Sequence, residues 1–141
     1  MRFIVIVKAN EQSEAGILPS AALLAEMGAF NEELARAGML LAGDGLQPSA
    51  KGARIRFSGS QRTVVKGPFP ETNDLVAGFW LIQAQSQEDV IAWMKRSPFH
   101  EGEIEIRRLY EAEDFAPSDP ADVLRKKEAE LRAFVGSGSD G

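Results

Sequence analysis

The chain has no cysteine among its 141 residues. That absence removes disulfides, thiolate nucleophiles and cysteine-based zinc or iron–sulfur sites together, and it fits a cytoplasmic location. There is one histidine, His100, so no second imidazole can help hold a metal, and no metal site is expected. Positive charge is in deficit: 16 Lys+Arg stand against 21 Asp+Glu, for a formal charge of -5. The broad positive field of a nonspecific nucleic-acid binder is therefore missing, and nucleic acid is not expected as a partner. No segment approaches the roughly 20 apolar residues that span a bilayer, so no membrane association is expected. The opening MRFIVIVKANE turns polar at Lys8, without the apolar stretch or small-residue cleavage site of a secretion signal. A G-x-S-x-G nucleophile elbow is absent. Gly43-Asp44-Gly45 is not a phosphate loop, since no Lys and Ser/Thr follow it. No cofactor is expected, and no repeat of solenoid period is visible.

What is present is enough for one real core: 44% hydrophobic residues in a chain of single-domain length. Residues 2–8 are β-branched and aromatic, apolar on both alternating faces and too short for a helix, which predicts a central strand. Leu23, Met27, Phe30 and Leu34 then recur at three and four residues, predicting an amphipathic helix that ends at Gly38 in a left-handed cap. A short strand (39–42) leads into a turn-rich stretch. Residues 53–57 and 62–66 predict a β-hairpin, and the loop 67–74 separates it from a second central strand around Phe79, Trp80, Leu81 and Ile82. Ser86 and Asp89 start a second helix with Val90, Trp93 and Met94 as its stripe, stopped by Pro98. A last strand, 103–109, follows with Ile104 and Ile106 facing in. Ser118-Asp119-Pro120 predicts the start of a charged C-terminal helix within 116–135, and residues 136–141 read as a flexible tail.

The fold class is therefore α+β: a ferredoxin-like protomer of two β-α-β units with a hairpin inserted between them, two helices on one face of an antiparallel sheet, and an extra C-terminal helix. The other sheet face needs a cover. Because both central strands are apolar on both sides, a second copy related by a two-fold axis is the simplest cover, and a homodimer is expected. That expectation fails if Phe3, Val5 and Phe79 are all shielded by the chain itself.

Several residues can carry chemistry, and each also has a plain structural alternative. His100, flanked by Glu101 and Glu103, is a candidate general base or simply an exposed loop histidine. Asp44 between two glycines is a candidate proton acceptor at a strand end or an ordinary turn former. Gly67-Pro68-Phe69-Pro70-Glu71-Thr72 is a proline-stiffened loop that either shapes a cleft or lets Phe69 plug a sheet edge. Arg54, Arg56, Arg62 and Lys66 on the hairpin, with Arg107 and Arg108 on the last strand, either hold a carboxylate ligand or protect edges from aggregation. Trp80 and Trp93 are expected in the core, with pocket lining the alternative.

With those residues in view, the chain resembles the YCII-related proteins, specifically their DGPF branch. The matching stretches are residues 1–8, GAFNEELARAGMLLAGDGLQP (28–48), VVKGPFPETNDLVAGFWLIQAQSQEDVIAWMKRSP (64–98) and GEIEIRRLYEAEDF (102–115), about 115 residues in one order. The resemblance implies a dimeric α/β barrel of ferredoxin-like protomers. Two departures stand out: the signature aspartate reads Lys66 here, and the first-helix histidine of YCII-type relatives that look enzymatic is absent from residues 20–38. Asp44 stands near where the relatives' carboxylate falls, and Glu26 on the first helix is a substitute acid or base. Some YCII relatives act as lyases or dehydrochlorinases on small cyclic acids, and DGPF genes often lie near alternative sigma factors.

Two functions follow as expectations. In the first, a small anionic organic molecule binds in a cleft of the homodimer, with cofactor-independent lyase or isomerase chemistry. There Asp44 or Glu26 moves a proton, Arg54 or Arg107 holds the anion, and residues 67–72 form the rim. In the second, the chain is a non-catalytic interaction or sensor module linked to transcription regulation, contacting a protein partner through the C-terminal helix.

Overall fold

The computed structural model describes residues 1–138, and the chain divides into two compact units, Met1–Arg108 and Leu109–Gly141. The first unit contains β1 (Arg2–Lys8), α1 (Glu11–Glu14), α2 (Ala21–Arg36), β2 (Leu40–Gly45), β3 (Ala53–Ser58), β4 (Gln61–Lys66), β5 (Val76–Gln83), α3 (Gln87–Met94) and β6 (Ile104–Arg108). Four strands form an antiparallel sheet in the order β2-β5-β1-β6, while β3 and β4 pair only with each other. Two β-α-β units with interleaved strands and an inserted hairpin make this a ferredoxin-like α+β fold.

Local chemistry sets the element ends. The Ser20 side chain accepts the Leu23 N–H and opens α2, and Gly38, at φ 73, closes it in the left-handed region where a Cβ is disfavoured. Ser86 accepts the Asp89 N–H at 3.2 Å and opens α3. One element has no counterpart in the hydropathy pattern: the single turn α1, capped reciprocally by Asn10 and Ser13. The hairpin turn is Gly59-Ser60, with Gly59 at φ 58, since a two-residue turn of this kind needs a left-handed first position.

Both helices lie on one side of the sheet. Phe30 and Leu34 from α2 and Val90 and Met94 from α3 pack with Phe3, Val5, Trp80 and Ile82 in a single buried cluster, and Ile104 and Ile106 pack against it. The Trp80 ring meets Phe30 edge-on at 5.8 Å between centroids, and its indole N–H donates to Asn31 Oδ1 at 2.7 Å. Each large apolar side chain buried here contributes about 1.5–3 kcal/mol. Phe3 and Val5 are thus covered by the chain's own helices, at 1% and 0% exposure. The apolar side chains on the opposite face are their alternates, Ile4, Ile6, Phe79 and Leu81, each partly exposed.

The second unit holds a 3-10 segment (Ala112–Ser118) and α4 (Val123–Gly138). The helix begins at Val123 rather than at Pro120. The buried Asp119 carboxylate accepts the N–H groups of Val123, Leu124 and Arg125, and Asp122 takes the left-handed φ of 61 that brings the chain round to it. The Arg125 guanidinium closes the cluster, 3.2 Å from Asp119 and 2.9 Å from Glu113. Burial pushes the Asp119 pKa up, but the backbone N–H groups of Arg125 and Leu124 and the Arg125 side chain outweigh it, and the group sits below the usual aspartate range. A depressed carboxylate contributes stability that is complete above the unfolded value of about 3.9 and lost as pH falls through the lower folded value. Asp119→Ala is therefore expected to speed amide hydrogen exchange at residues 123–126 at neutral pH. Unchanged protection there would remove Asp119 as the helix start. Of the expected flexible tail, residues 139–141 lie outside the described residues, and α4 includes residues 136–138.

Candidate functional site

The uncovered sheet face is built by strand register. Ile4 pairs with Leu81 and with Arg107, and Ile6 pairs with Phe79 and with Glu105, so these side chains share a face. On the far side of β5, Ala42 pairs with Leu81 and Asp44 with Phe79, which adds Asp44 to it. The last placement depends on a β-bulge. Leu40 pairs with Ile82 on the helix side, but the register shifts before Ala42, and the extra residue turns Asp44 away from the helices.

The face is an apolar floor of Ile4, Ile6, Phe79 and Leu81 with polar rims on both edge strands. Asp44 forms the β2 rim and is exposed. At the β6 rim, Glu105 lies between two cations, 3.6 Å from Lys8 and 3.4 Å from Arg107. With strands about 4.8 Å apart, three spacings place Asp44 roughly 14 Å from Glu105. The face offers a carboxylate on one side, cations on the other, and between them a surface able to take a flat apolar ring.

The loop after β4 is a second built feature, held by its backbone. A Cβ on Gly67 would fall 1.7 Å from the carbonyl oxygen of Ser49, so only glycine fits there. The Gly67 N–H donates to the Gly52 carbonyl at 3.0 Å, and the Phe69 N–H donates to Ser49 Oγ at 3.0 Å. Ser49 is fixed in turn by Glu14, whose carboxylate accepts both its N–H and its hydroxyl. Above this frame the Arg54 guanidinium lies 3.8 Å over the Phe69 ring and donates to Glu71 Oε2 at 3.1 Å. Hydrogen bonds from its own backbone amide and then from Arg54 hold the Glu71 carboxyl below its ordinary range. The Thr72 N–H donates to the Pro70 carbonyl at 2.9 Å, and Pro68 follows Gly67 through a cis peptide bond.

Asp44 and Arg107 therefore share a face but stand on opposite edge strands. Glu26 is exposed on α2, across the sheet from Asp44, so the two carboxylates do not act on one substrate in a protomer. His100 is exposed in the turn between α3 and β6. Arg54 is engaged with Phe69 and Glu71 inside the loop. Lys8 and Glu105 were not singled out from the sequence, yet both stand on the face. The period-two alternation that buries Phe3 and Val5 puts Lys8 on the side of Ile4 and Ile6, and the same alternation places Glu105 between Ile104 and Ile106. Among the described residues, no group of three or more His, Cys, Asp or Glu is placed to hold a metal ion, and no helix is long and apolar enough to cross a membrane.

A family model described as YCII-related domain matches residues 1–120. None of the curated proteins matches the chain. Among solved structures, 5-chloro-2-hydroxyhydroquinone dehydrochlorinase from Burkholderia phenoliruptrix, in complex with 2,5-dihydroxybenzoquinone, aligns with a TM-score of 0.44 and 17% identity, over 78% of this chain and 94% of that one. That likeness is too distant for its chemistry to be carried across.

Proposed function

Because the chain belongs to the YCII-related domain family, we propose that it works as a homodimer in which each open sheet face, covered by the partner, holds a small anionic organic molecule, with Asp44 moving a proton on it. One observation carries the proposal: an apolar floor of Ile4, Ile6, Phe79 and Leu81 is bracketed by a carboxylate at one rim and by Arg107 at the other, with Lys8 at the end of β1 between them. A second copy over that floor excludes water, which strengthens every charge interaction inside it. The carboxylate then takes a proton from a carbon beside a carbonyl. Returning it to another carbon gives an isomerase, and losing a leaving group gives a lyase. The Gly67–Thr72 loop, fixed on Ser49, serves as a rim rather than as a source of catalytic groups.

The test starts from a thermal-shift screen of small aromatic and lactone acids. A ligand at 100 times its dissociation constant stabilises the folded state by about 2.7 kcal/mol. For an acid that binds and is turned over, Asp44→Asn is expected to lower kcat by roughly 10²- to 10⁴-fold and to leave the far-UV circular dichroism unchanged, since the side chain is exposed in the protomer. Full activity in this variant would sink the assignment. The alternative, a non-catalytic interaction or sensor module linked to transcription regulation, is favoured by α4, whose Leu124, Leu131 and Val135 are 64%, 64% and 68% exposed. It is selected if the acid screen is blank and deleting residues 116–141 abolishes binding to a purified regulator.

A further inference from the structure

Residues 51–66 comprise β3, β4, their turn and the two residues leading into β3, and they carry five cations, Lys51, Arg54, Arg56, Arg62 and Lys66, with no acid. The rest of the chain then has 11 cations against 21 acids, a balance of -10 in a protein of -5 overall. This positive hairpin is a sheet of its own, with no ladder to the four-stranded one. Such a ribbon is marginal in water unless one face is covered. Its register puts Ile55 opposite Val64 and Phe57 opposite Arg62 on one face, with Lys66 at the base. Ile55, Phe57 and Val64 are 55%, 70% and 59% exposed, so the chain itself does not cover them. The Arg62 guanidinium lies 4.7 Å over the Phe57 ring and donates to the carbonyls of Gly59 and Gln61.

The open sheet face is the complement of that surface: apolar at the centre, acidic at its β2 rim. It also lacks something the proposed chemistry needs. Arg107 stands on the opposite edge strand, three spacings or roughly 14 Å from Asp44, and Lys8, on β1 two spacings away, is paired with Glu105, so neither cation lies beside the carboxylate. We infer that the hairpin is an arm that docks on a second copy of this chain, laying Ile55, Phe57 and Val64 against the partner's open face and bringing Arg62 and Lys66 beside the partner's Asp44. The arm would thus supply the anion-holding charge next to the proton-moving carboxylate, and each site is incomplete without the other protomer. This rests on the binding face proposed above. A second copy is the occupant the charge favours, because the balance of -10 outside the hairpin repels nucleic acid and anionic lipid but attracts the arm.

Sedimentation velocity of the whole chain tests it. Wild type is expected to be a dimer at about 10 μM. Ile55→Asp with Val64→Asp places two charges in the docked face and is expected to weaken dimerisation by roughly 100-fold or more, with the far-UV circular dichroism of the folded protomer retained. Arg62→Glu with Lys66→Glu, and separately Asp44→Lys, are each expected to weaken self-association about tenfold, and an equimolar mixture of the two is expected to dimerise again because opposite charges then meet across both docked faces. A dimeric wild type with unweakened hairpin variants, or weakened variants whose mixture stays apart, overturns the arm and leaves the proposed homodimer standing. A monomeric wild type removes both. A monomeric wild type that retains a labelled DNA duplex through Arg56 and Arg62 assigns the hairpin to nucleic acid and likewise overturns it.

Discussion

Replacing Trp80 with alanine is expected to lower stability by about 3–5 kcal/mol and the thermal midpoint by roughly 10–20 °C. The ring is 3% exposed at the centre of β5 and touches Phe30 and Phe99 edge-on, at 5.8 and 6.0 Å. Its indole N–H is satisfied by Asn31, so truncation also leaves a half-buried amide oxygen without its donor. The surroundings have little freedom to collapse into the gap. β2 already passes so close that a Cβ on Gly43 would sit 3.0 Å from the Trp80 ring. Urea denaturation of the purified protein measures the effect. Phe79→Ala is the control, because its side chain points to the open face and its loss costs the protomer less. A Trp80→Ala variant as stable as Phe79→Ala would contradict the assignment of the two faces.

Gly67→Ala is expected to cost about 3 kcal/mol, the upper range for forcing atoms into a packed site. A methyl there falls on the Ser49 carbonyl, and backbone cannot swing aside as a side-chain end can. Moving the loop would also break the donation from Gly67 to Gly52 and from Phe69 to Ser49, and lift Phe69 from under Arg54. A melting point lowered by roughly 10 °C, with faster proteolysis in residues 67–75, is the expected readout. Stability within about 0.5 kcal/mol of wild type, the range of surface substitutions, would show that the loop is not held in this way.

The helices and strands were legible because their information is local. Ser20, Gly38 and Ser86 act on neighbours within a turn, and the stripe Phe30/Leu34 declares its buried side by spacing alone. Strand direction of face was less so. Residues 2–8 are apolar on both sides, so hydropathy cannot separate Phe3 and Val5, which the helices cover, from Ile4 and Ile6, which they leave open. Nor does the alternation of β3 and β4 reveal that the hairpin stays outside the main sheet, since pairing partners are chosen by tertiary contacts. The Gly-Pro-Phe stretch stood out as a motif, yet the reason for its glycine lies 18 positions earlier in the chain, at Ser49. Asp119 was recognisable as a helix-starting residue, but the left-handed step at Asp122 that delays the first turn was not. Of the candidate site, Asp44 and Arg107 were legible as charged groups on strands, while their separation follows from a strand order no single-residue feature encodes.

The bulge in β2 makes chain length, more than residue identity, the switch that aims the candidate acid. A strand pairing residue for residue from Leu40 and Ile82 would set Asp44 against Gly78, on the helix side, where a charge has no solvent. Relatives that gain or lose one position between Met39 and Asp44 would keep the same hydropathy and the same carboxylate, yet present it to the wrong compartment of the protein. Homologues should therefore be sorted for shared chemistry by counting spacers in this strand before comparing the letters around it.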